Sequence, residues 1–587
     1  MKKQNIWQYL KPYRKESFAA PIFKMTEATF ELFVPLVVAR IVDRGIPSGN
    51  ADYLFGQVLI MAALAFVGTA VALMAQYFAA KAATGFSANL REALFKKILG
   101  LTFEDYDRYG TDALLTRMNS DISAVQSAVN LFLRLFLRSP FIVAGAVVMA
   151  AVVDKRSLPL FIGVVALLSL IVFVITKSSL PAFRKIQEKL EGLTLVTRET
   201  VEGQKVIRAF CREEAELSNL EDKIGNVYAA QKHAGNIQSF INPVTYLVIN
   251  TGLILLIYLS GIRVNAGSLT TGQTLALINY MSQILVELIK LSNLIVLIMK
   301  AAPCVSRLNE ILFGEKEDEK DGAGVKTDAP DEENAIKPEK NVPFLQVKNL
   351  SFTYKGASEE SLTGISFAVN EGETIGIIGG TGSGKSTLLD LISGFYPAGS
   401  GEILFRGKNI NEYDSSELFA QFSRVPQKAR LFSGTIESNL KVANDEASKA
   451  EMEKALELAC ALEFAEEKGG LSAEVLTGGS NFSGGQKQRL TIARALTRKA
   501  PVLILDDSFS ALDMATEKIL ASNIAKIDYH PTVFIVSQRA SSLRFADRIL
   551  VLEDGAVAGF GTMEELLSSC EPFREIYRTQ YEEVAHE

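Results

Sequence analysis

The sequence of 587 residues has little histidine, little cysteine and no excess of basic charge. Its four cysteines are scattered, with no Cys-x-x-Cys pair and no histidine at ligand spacing, which favours a reducing compartment and argues against a zinc site. A net charge of −6 gives no support to a nucleic-acid partner, because such proteins normally present a basic face. The sequence therefore lacks the marks of a disulfide-rich, zinc-binding or nucleic-acid-binding protein.

Apolar residues are abundant, at 48% of the chain, beside an ordinary charged fraction of 22%. This combination suggests that one part of the chain faces lipid and another part faces water. Six apolar stretches lie before residue 300, and each meets or approaches the roughly 20 residues that a membrane-crossing helix needs. Because six such stretches are improbable as buried helices of a soluble protein, we predict six transmembrane helices. The stretches are 19–41, 55–78, 130–153, 158–176, 240–262 and 272–299.

Basic residues are concentrated before the first stretch, between the second and third, and between the fourth and fifth. By the positive-inside rule, both termini and the two long loops at 79–129 and 177–239 are cytoplasmic, in a multi-pass protein of the cell membrane. The loops are too polar for the membrane but keep helical periodicity. We therefore expect helices that continue from the membrane into the cytoplasm.

The charged segment 314–341 is nearly free of apolar residues, which predicts a solvated linker. After it, β-rich runs alternate with helical runs, which is the pattern of an α/β domain. The sequence thus predicts a helical membrane domain at 1–313, the linker, and an α/β domain at 342–587.

The α/β domain contains a glycine-rich loop between the strand-like run ETIGIIG and the helix-like run TLLDLISG. In this context, the loop matches the P-loop pattern of nucleotide-binding proteins. Its glycines let backbone N–H groups approach phosphate oxygens, and the following helix presents its positive N-terminal end. Lys385 can reach the β- and γ-phosphates, and the Ser386 hydroxyl can ligate Mg²⁺. The predicted nucleotide-binding residues are Gly379, Gly380, Thr381, Gly382, Ser383, Gly384, Lys385, Ser386 and Thr387.

Two adjacent carboxylates, Asp506 and Asp507, end the apolar run PVLILDD. Without further context, two carboxylates after a strand are as typical of a helix-capping turn as of a metal site. Beside a P-loop, Asp506 suits the carboxylate that holds Mg²⁺ in P-loop nucleotide hydrolases. A nucleotide and Mg²⁺ are therefore the expected cofactors.

Further motifs make the chain resemble an ATP-binding-cassette (ABC) exporter half-transporter, which carries a membrane domain and a nucleotide-binding domain in one polypeptide. The run NFSGGQ, with Phe482 where leucine is usual, resembles the family signature, and VPQ at 425–427 resembles its Q-loop. SALD at 510–513 resembles the D-loop, and Tyr354 stands where the family has an aromatic residue that stacks on adenine. The resemblance implies that the nucleotide is ATP.

The resemblance extends to the membrane half, where the runs around Arg117 and Phe210 are similar to intracellular loops that dock onto nucleotide-binding domains. In this family, two nucleotide-binding domains close head to tail, and each ATP lies between the P-loop of one and the signature of the other. The resemblance implies that Gln427 serves Mg²⁺ and catalysis, and that Asp513 lies beside the nucleotide. It also implies that the signature contacts the nucleotide, through Asn481, Phe482, Ser483, Gly484, Gly485 and Gln486. The alternative is that this run is only a helix-capping loop.

Two residues depart from the family pattern. Asp507 stands where a glutamate usually positions the attacking water, and its shorter side chain withdraws the carboxylate by roughly an ångström, which can cost about 100-fold in rate. Gln538 stands at the switch position, where histidine is usual. An amide can donate a hydrogen bond to the γ-phosphate but cannot carry the charge of an imidazole. Together these residues predict a site that binds ATP and hydrolyses it slowly.

Since the signature is intact, the chain resembles the degenerate-site subunit of heterodimeric bacterial multidrug exporters. A second half-transporter would supply the glutamate and histidine, and this chain would lend residues 483–486 to it. The expected activity is ATP-driven outward movement of drugs, lipids or other amphipathic compounds. Two alternatives remain open: a homodimeric exporter, and a regulatory membrane protein that ATP gates without net pumping.

Ionisable residues inside membrane helices are costly and normally face a cavity or a partner. Here they form pairs at helical spacing in the first, third and sixth predicted helices. One interpretation is snorkelling near helix ends or pairing between helices. The other is a partly polar translocation cavity whose glutamates favour cationic amphiphiles. The pairs are Glu27 with Glu31, Arg134 with Arg138, and Glu287 with Lys290.

Overall fold

The computed structural model describes residues 5–314 and 343–582. The predicted linker at 314–341 therefore lies outside the described residues, apart from Gly314. Within the described ranges, the residues cluster into two compact units.

The first unit comprises Met1–Leu99 and Tyr109–Glu317, and the second comprises Gly100–Arg108 and Asp318–Glu587. The segment Gly100–Arg108 differs from expectation, because the sequence assigned all of 1–313 to the membrane domain. The remaining predicted boundaries stay a prediction.

Long helices dominate the first unit. With the adjoining segment, the helices are α1 (Arg14–Arg40), α2 (Ile46–Ser48), α3 (Ala51–Leu99), α4 (Phe103–Tyr109), α5 (Thr111–Thr116), α6 (Ile122–Leu135), α7 (Arg138–Val153), α8 (Leu158–Glu202), α9 (Gln204–Ala209), α10 (Glu213–Ser239), α11 (Ile241–Asn265) and α12 (Thr271–Phe313). The 49 residues of α3 and the 45 residues of α8 exceed twice the length of roughly 20 residues that crosses a bilayer. This confirms the expectation that membrane helices continue into the two long loops.

Four helical segments of the described chain are long and apolar enough to cross a membrane. They are Ala51–Leu99, Thr111–Val153, Lys155–Glu202 and Glu213–Asn265. The helices α1 and α12, assigned from the sequence to the first and sixth spans, are not among these four segments. Both carry charged side chains inside their apolar stretches. Six crossings therefore stay a prediction.

Arg134 lies near the end of α6 and Arg138 begins α7, and the two residues between these helices, Phe136 and Leu137, keep right-handed helical dihedral angles. Pro140 explains the break, because proline has no N–H to donate to the carbonyl of Phe136 and its ring clashes with that carbonyl. The two arginines consequently belong to different helices.

A buried apolar cluster joins α1, α7, α8, α11 and α12. Tyr280 of α12 lies within it, and its hydroxyl donates to the carbonyl of Leu32 on α1 over 2.7 Å. Because the hydroxyl is buried, this bond satisfies a group whose desolvation would otherwise be penalised. The contact ties α12 to α1 next to Glu31.

The second unit has the α/β architecture that the sequence predicts. Its strands are β1 (Leu345–Phe352), β2 (Leu362–Val369), β3 (Thr374–Gly379), β4 (Ser400–Phe405), β5 (Lys408–Asn409), β6 (Phe422–Val425), β7 (Gly434–Thr435), β8 (Glu474–Val475), β9 (Val502–Asp506), β10 (Thr532–Val536), β11 (Arg548–Glu553) and β12 (Ala556–Gly561). Its helices are α13 (Lys385–Ile392), α14 (Ser415–Ala420), α15 (Ile436–Lys441), α16 (Lys449–Leu458), α17 (Leu462–Glu467), α18 (Gly484–Thr497), α19 (Met514–Ile524), α20 (Met563–Ser569) and α21 (Glu571–Glu582).

In the described part of this unit, six strands form a sheet in the order β12-β11-β3-β10-β9-β6. Neighbours from β11 to β6 run parallel, and β12 pairs antiparallel at one edge. A second, antiparallel sheet has the order β2-β1-β4-β5. Because β3 and β9 flank β10 and run parallel to it, the P-loop and Asp506 follow strands whose carboxyl ends lie at one edge of the sheet.

The segment Gly100–Arg108 packs within the second unit. The ring of Phe103 stacks on Phe395 at a centroid distance of 4.2 Å, and the hydroxyl of Tyr396 donates to Asp107. Burial and the neighbouring Asp107 raise the pKa of Tyr396. The segment is therefore anchored on residues that directly follow α13.

The runs around Arg117 and Phe210, which resemble docking loops, lie in the first unit. Docking by the runs themselves stays a prediction.

Candidate functional site

The P-loop lies between β3 and α13, in the strand–loop–helix context that its motif requires. Gly382 and Gly384 have φ values of +86° and +91°, in the left-handed region that favours glycine. At Gly384, a Cβ atom would lie 2.5 Å from Leu362 Cδ2 and 2.9 Å from the carbonyl oxygen of Ser361. These glycines allow the tight turn that points backbone N–H groups at a phosphate.

Lys385 begins α13, and its ammonium group lies inside the loop. It donates to the carbonyl of Gly379 over 3.0 Å and to Ser383 Oγ over 3.2 Å. Burial lowers the pKa of Lys385, although the charges of Asp507 and Asp506 act in the opposite direction. The ammonium is thus placed to bind phosphate oxygens, with both carboxylates near enough to influence it.

An open depression of about 540 Å³ lies at the P-loop. The motif predicts half of its lining: Gly382, Gly384, Lys385, Ser386 and Thr387. Sequence reasoning missed the other half, which comes from the loop before β2 and the turn between β11 and β12: Glu359, Glu360, Ser361, Asp554 and Gly555. The Asp-Gly dipeptide is a readable hairpin signal, but nothing in the sequence places that hairpin beside the P-loop.

Tyr354 lies next to this depression. Its hydroxyl donates to Thr387 Oγ1 over 3.2 Å. Its ring meets Phe352 and Tyr396 edge to face, at centroid distances of 4.9 and 5.5 Å. Burial raises the pKa of Tyr354. The ring is therefore held in place by its neighbours, and its stacking on adenine stays a prediction.

Asp506 ends β9 and is buried. Its Oδ2 accepts a hydrogen bond from Arg424 of β6 over 2.8 Å, and the same guanidinium pairs with Asp390 on α13. The guanidinium also lies 5.5 Å from the ring centroid of Phe395. Arg424 therefore connects the predicted Mg²⁺ carboxylate to the helix that carries Ser386. Sequence reasoning missed it, although a basic residue inside the apolar run FSRV was a signal.

Asp507 follows Asp506 with a left-handed backbone, at φ +48°. Gln427 Nε2 donates to Asp507 Oδ2 over 3.3 Å, so the structure brings together two of the three predicted catalytic residues. Aspartate occupies the left-handed region more often than most residues with a Cβ atom. The local backbone thus suits the residue that replaces the usual glutamate.

The predicted Mg²⁺ ligands are the Ser386 hydroxyl, the Gln427 amide oxygen and the Asp506 carboxylate. Oxygen donors of this kind match the preference of Mg²⁺, which also takes phosphate and water oxygens. Ser386 and Gln427 are exposed, whereas Asp506 is buried and paired with Arg424. The donor set fits Mg²⁺, with Arg424 as a competing cation for Asp506.

Gln538 is exposed in the turn after β10. Its carbonyl oxygen accepts from Gln580 Nε2 over 2.7 Å, and the N–H of Ala540 donates to Gln580 Oε1 over 2.8 Å. The side-chain amide of Gln580, on α21, thus holds the turn from both ends. No bond between the Gln538 side chain and Asp507 occurs among the described residues. Nothing in the sequence indicated Gln580.

The signature forms the start of α18. Ser483 Oγ accepts from the N–H of Gln486 over 3.3 Å, and Gln486 Oε1 accepts from the N–H of Ser483 over 3.0 Å. These reciprocal bonds form a capping box, so the helix-capping alternative is present in the structure. A Cβ atom at Gly485 would lie 3.1 Å from the carbonyl oxygen of Ala511. Glycine therefore permits the close approach of the D-loop.

Two side chains of the signature, those of Phe482 and Asn481, make structural contacts within their own chain. Phe482 is 5% exposed and meets Phe464 edge to face in the core, at a centroid distance of 6.4 Å. The Asn481 amide accepts from the N–H of Leu476 over 3.1 Å and donates to the carbonyl of Glu474 over 2.7 Å. Both side chains brace the loop that precedes α18.

Asp513 is the N-cap of α19. Its carboxylate accepts from the N–H and the hydroxyl of Thr516, over 2.9 and 2.8 Å, and these bonds lower the pKa of Asp513. Among the described residues that line the P-loop depression, neither Asp513 nor the signature at 481–486 is found. The nucleotide contacts implied for them stay a prediction.

The ionisable residues of the first unit pair between helices. Arg138 of α7 forms ion pairs with Glu31 of α1 and Glu287 of α12, each at 2.7 Å. Lys290 pairs with Glu287 at 2.8 Å. Pairing between helices, one of the two interpretations of these residues, is therefore confirmed for Glu31, Arg138 and Glu287.

Glu27 pairs with Lys24 on its own helix. Each glutamate of the expected cavity thus has a basic partner, and the structure does not support the preference for cationic amphiphiles. Arg134 Nε is buried and has no hydrogen-bond partner in the described part of the chain.

Comparisons with known proteins agree with the two units. Residues 17–288 match the family model "ABC transporter transmembrane region", and residues 362–510 match the model "ABC transporter". An uncharacterized ABC transporter ATP-binding protein of Mycobacterium tuberculosis is 31% identical over 98% of this chain and 97% of its own length. A similarly named protein of Bacillus subtilis is 31% identical over 98% of both chains.

An ATP-dependent lipid A-core flippase of Vibrio vulnificus is 27% identical over 99% of this chain and 98% of its own length. Among solved structures, a bacterial Atm1-family ABC exporter with ATP bound superposes with a TM-score of 0.79, at 22% identity over 97% of this chain and 98% of that chain. At this identity, the likeness concerns the fold.

Proposed function

Since this chain belongs to the ABC transporter family, as an exporter that joins a membrane domain to an ATP-hydrolysing domain, we propose that it is one half of an unequal pair. It binds ATP at its own P-loop and hydrolyses it slowly there. It lends its signature to a second, non-identical half-transporter that hydrolyses ATP quickly. The pair moves drugs, lipids or other amphipathic compounds outward.

The observation that carries this proposal is the composition of the site at Asp507. The side chain in reach of Gln427 is an aspartate, and the exposed switch residue Gln538 is an amide. The site therefore has a short carboxylate to orient water and no imidazole to carry charge. Its phosphate-binding parts are complete, with a buried lysine and a tight glycine loop.

The chain's own residues divide the work of ATP binding. Lys385 and the N–H groups of the loop bind the phosphates, and Tyr354 stacks on the base. Mg²⁺ held by Ser386, Gln427 and Asp506 would neutralise charge on the β- and γ-phosphates. Asp507 orients the attacking water from a withdrawn position, and Gln538 donates a hydrogen bond but no proton.

The signature supports action on a partner. It does not line the P-loop depression of its own chain in the described residues, and its helix presents an N-terminal end that can meet a phosphate. Gly484, whose Cβ atom would meet no atom within 4 Å, leaves the backbone open for that approach.

For the membrane half, we infer six crossings by α1, α3, α6 with α7, α8, α11 and α12. Both termini and the ATPase domain then face the cytoplasm, as the distribution of basic residues indicates. The lipid A-core flippases among the relatives, 27% identical, support an amphipathic substrate.

The deciding experiment compares the purified chain alone with the chain co-purified with its partner. An adjacent open reading frame that encodes a half-transporter with glutamate and histidine at the positions of Asp507 and Gln538 identifies that partner. We expect rapid ATP hydrolysis only in the pair, and little change in that rate with Asp507→Ala. Homodimers that hydrolyse ATP vigorously and lose this activity with Asp507→Ala would show the homodimeric exporter instead.

A further inference from the structure

Arg424 lies at the centre of a buried charge cluster beside the P-loop. It belongs to β6, three residues before Gln427, and its side chain is 15% exposed. One terminal nitrogen of its guanidinium donates to Asp506 Oδ2 over 2.8 Å, and the other donates to Asp390 on α13. The guanidinium therefore holds the predicted Mg²⁺ carboxylate and a second carboxylate at the same time.

The surroundings of this guanidinium leave it little freedom to move away from the carboxylates. The ring of Phe395 lies against it, at a centroid distance of 5.5 Å. Its Nε is buried and has no hydrogen-bond partner in the described ranges of the chain, so the terminal nitrogens hold it in place. Because arginine stays protonated in proteins, its positive charge is permanent. The fold thus keeps a cation next to Asp506.

Asp506 has a second cation nearby in Lys385. Burial lowers the pKa of Lys385, and the charges of Asp507 and Asp506 oppose this lowering. A carboxylate that binds Mg²⁺ must offer its negative charge to the metal. Since Asp506 already shares its charge with Arg424, the negative potential that would attract a divalent cation is reduced. The same cations leave the attraction for phosphate oxygens intact.

We propose that Arg424 is a built-in competitor of Mg²⁺ at Asp506, so that this chain's own site binds ATP nearly as well without the metal as with it. Lys385 and the N–H groups of the loop bind the phosphates in either case. Weak coupling between nucleotide and metal adds a third cause of slow hydrolysis to the short carboxylate of Asp507 and the amide of Gln538. This assignment rests on the proposed function and specifies the metal dependence of the same ATP site.

The test measures the coupling between nucleotide and metal in the full-length chain in nanodiscs, without a partner and without turnover. The measured quantity is the Kd of the hydrolysis-resistant analogue AMP-PNP in EDTA divided by its Kd in excess Mg²⁺. We expect this ratio to be below about threefold in the unchanged chain, because the metal must displace a charge-assisted hydrogen bond to reach Asp506.

Arg424→Gln should raise this ratio by about tenfold, because glutamine keeps hydrogen-bond donors in the cluster but removes the competing charge. The rise should disappear when Asp506→Asn is added, since Arg424 acts on the metal through that carboxylate. Arg406→Gln is the matched control and should leave the ratio unchanged. The Arg406 side chain is 16% exposed, pairs with Glu371 at 3.2 Å and lies outside the described lining of the P-loop depression.

A ratio of about tenfold or more in the unchanged chain would overturn the assignment without any variant. An unchanged or lower ratio in Arg424→Gln would show that Arg424 positions Asp506 for the metal instead of competing with it. The same rise in the presence of Asp506→Asn would show that the charge acts elsewhere, and would overturn the assignment as well. Rapid hydrolysis by homodimers would refute the proposed function but leave this binding ratio as it is, so the two failures are distinguishable.

Discussion

Asp507 combines a shortened carboxylate with a backbone that glutamate would occupy less readily. Its φ is +48°, and its carboxylate accepts from Gln427 at 3.3 Å. One methylene decides the reach of this carboxylate toward a water at the γ-phosphate. Under the proposed function, the rate at the chain's own site is therefore set by the length of this side chain and by the missing imidazole at Gln538.

The double variant Asp507→Glu with Gln538→His should raise hydrolysis at the chain's own site by about 10- to 100-fold. The glutamate restores the reach, and the histidine restores a group that can carry charge. Single-turnover ATP hydrolysis, measured in the pair with the partner's catalytic carboxylate neutralised, reports this site alone. Asp554→Glu is the matched control, since Asp554 also has a positive φ, of +45°, and lines the depression. An unchanged rate in the double variant would contradict the proposed slow site.

At the scale of elements, α21 controls the turn that carries Gln538. The side-chain amide of Gln580 accepts from the N–H of Ala540 and donates to the carbonyl of Gln538. It therefore forms the same pair of backbone hydrogen bonds that a neighbouring strand would form. A buried or half-buried N–H with such a partner exchanges slowly with solvent.

Gln580→Leu should increase the hydrogen-exchange rate of the Ala540 amide by about tenfold or more, because the side chain loses its acceptor. Hydrogen–deuterium exchange followed by mass spectrometry of this segment measures the change. Thr579→Val on the same helix removes a bond to Glu575 only and should leave the turn protected. Equal exchange in the two variants would mean that Gln580 does not hold the turn.

Glu373, which directly precedes β3, forms an ion pair with Arg548 of the neighbouring strand β11. Arg548 donates to both carboxylate oxygens and to the carbonyl of Ala368. Burial alone would raise the pKa of Glu373, but the bonds from Arg548 and the N–H of Asn370 outweigh it and hold this pKa below its usual range. The pair therefore stabilises the fold above the ordinary pKa of glutamate, and this contribution is lost as pH falls through the lowered value.

Arg548→Met should lower the stability of the second unit by about 1–3 kcal/mol at pH 7, and by less as the pH is taken below 4. Calorimetric unfolding of the full chain at both pH values measures the difference. Lys348→Met removes an exposed pair with Glu402 and should have little effect at either pH. A loss that stays constant with pH would contradict the role of the Glu373 charge.

At the scale of the whole molecule, the proposed function divides each ATP site between two chains. Gly485 allows the signature helix to approach the D-loop, and a Cβ atom there would lie 3.1 Å from the carbonyl oxygen of Ala511. The P-loop depression on the same chain contains no signature residue in the described part. A defect in the signature should therefore appear at the partner's site.

Gly485→Val should leave ATP binding at this chain's P-loop intact and reduce steady-state hydrolysis by the pair more than about tenfold, because the added side chain meets the carbonyl oxygen of Ala511 and displaces the signature from the D-loop. Filter binding of ATP and steady-state hydrolysis measure the two effects. Gly192→Val in α8 meets no atom within 4 Å of its Cβ and is the control. If Gly485→Val abolished ATP binding at its own P-loop, the proposal that the signature acts at the partner's ATP site would be wrong.

Motifs of neighbouring residues were readable because their geometry is local. The run from Gly379 to Ser386 specifies its own strand–loop–helix context, and the apolar stretches specify their solvent by composition alone. The signature could be recognised in the sequence too, but the surroundings of its side chains could not be predicted. Phe482 lies in the core, and Asn481 hydrogen-bonds within the preceding loop. A motif indicates where the backbone goes, whereas burial of each side chain depends on what packs against it.

The sequence by itself determined the division between lipid and water, the P-loop and the two unusual residues Asp507 and Gln538, because each depends on adjacent residues or on residue identity. Only the tertiary structure decided which distant groups meet. Arg424 reaches Asp506 across 82 residues, and Arg138 reaches Glu287 across 149. Such pairs leave no periodicity in the chain, since charge pairing acts through space and depends on the packing that brings the helices and strands together.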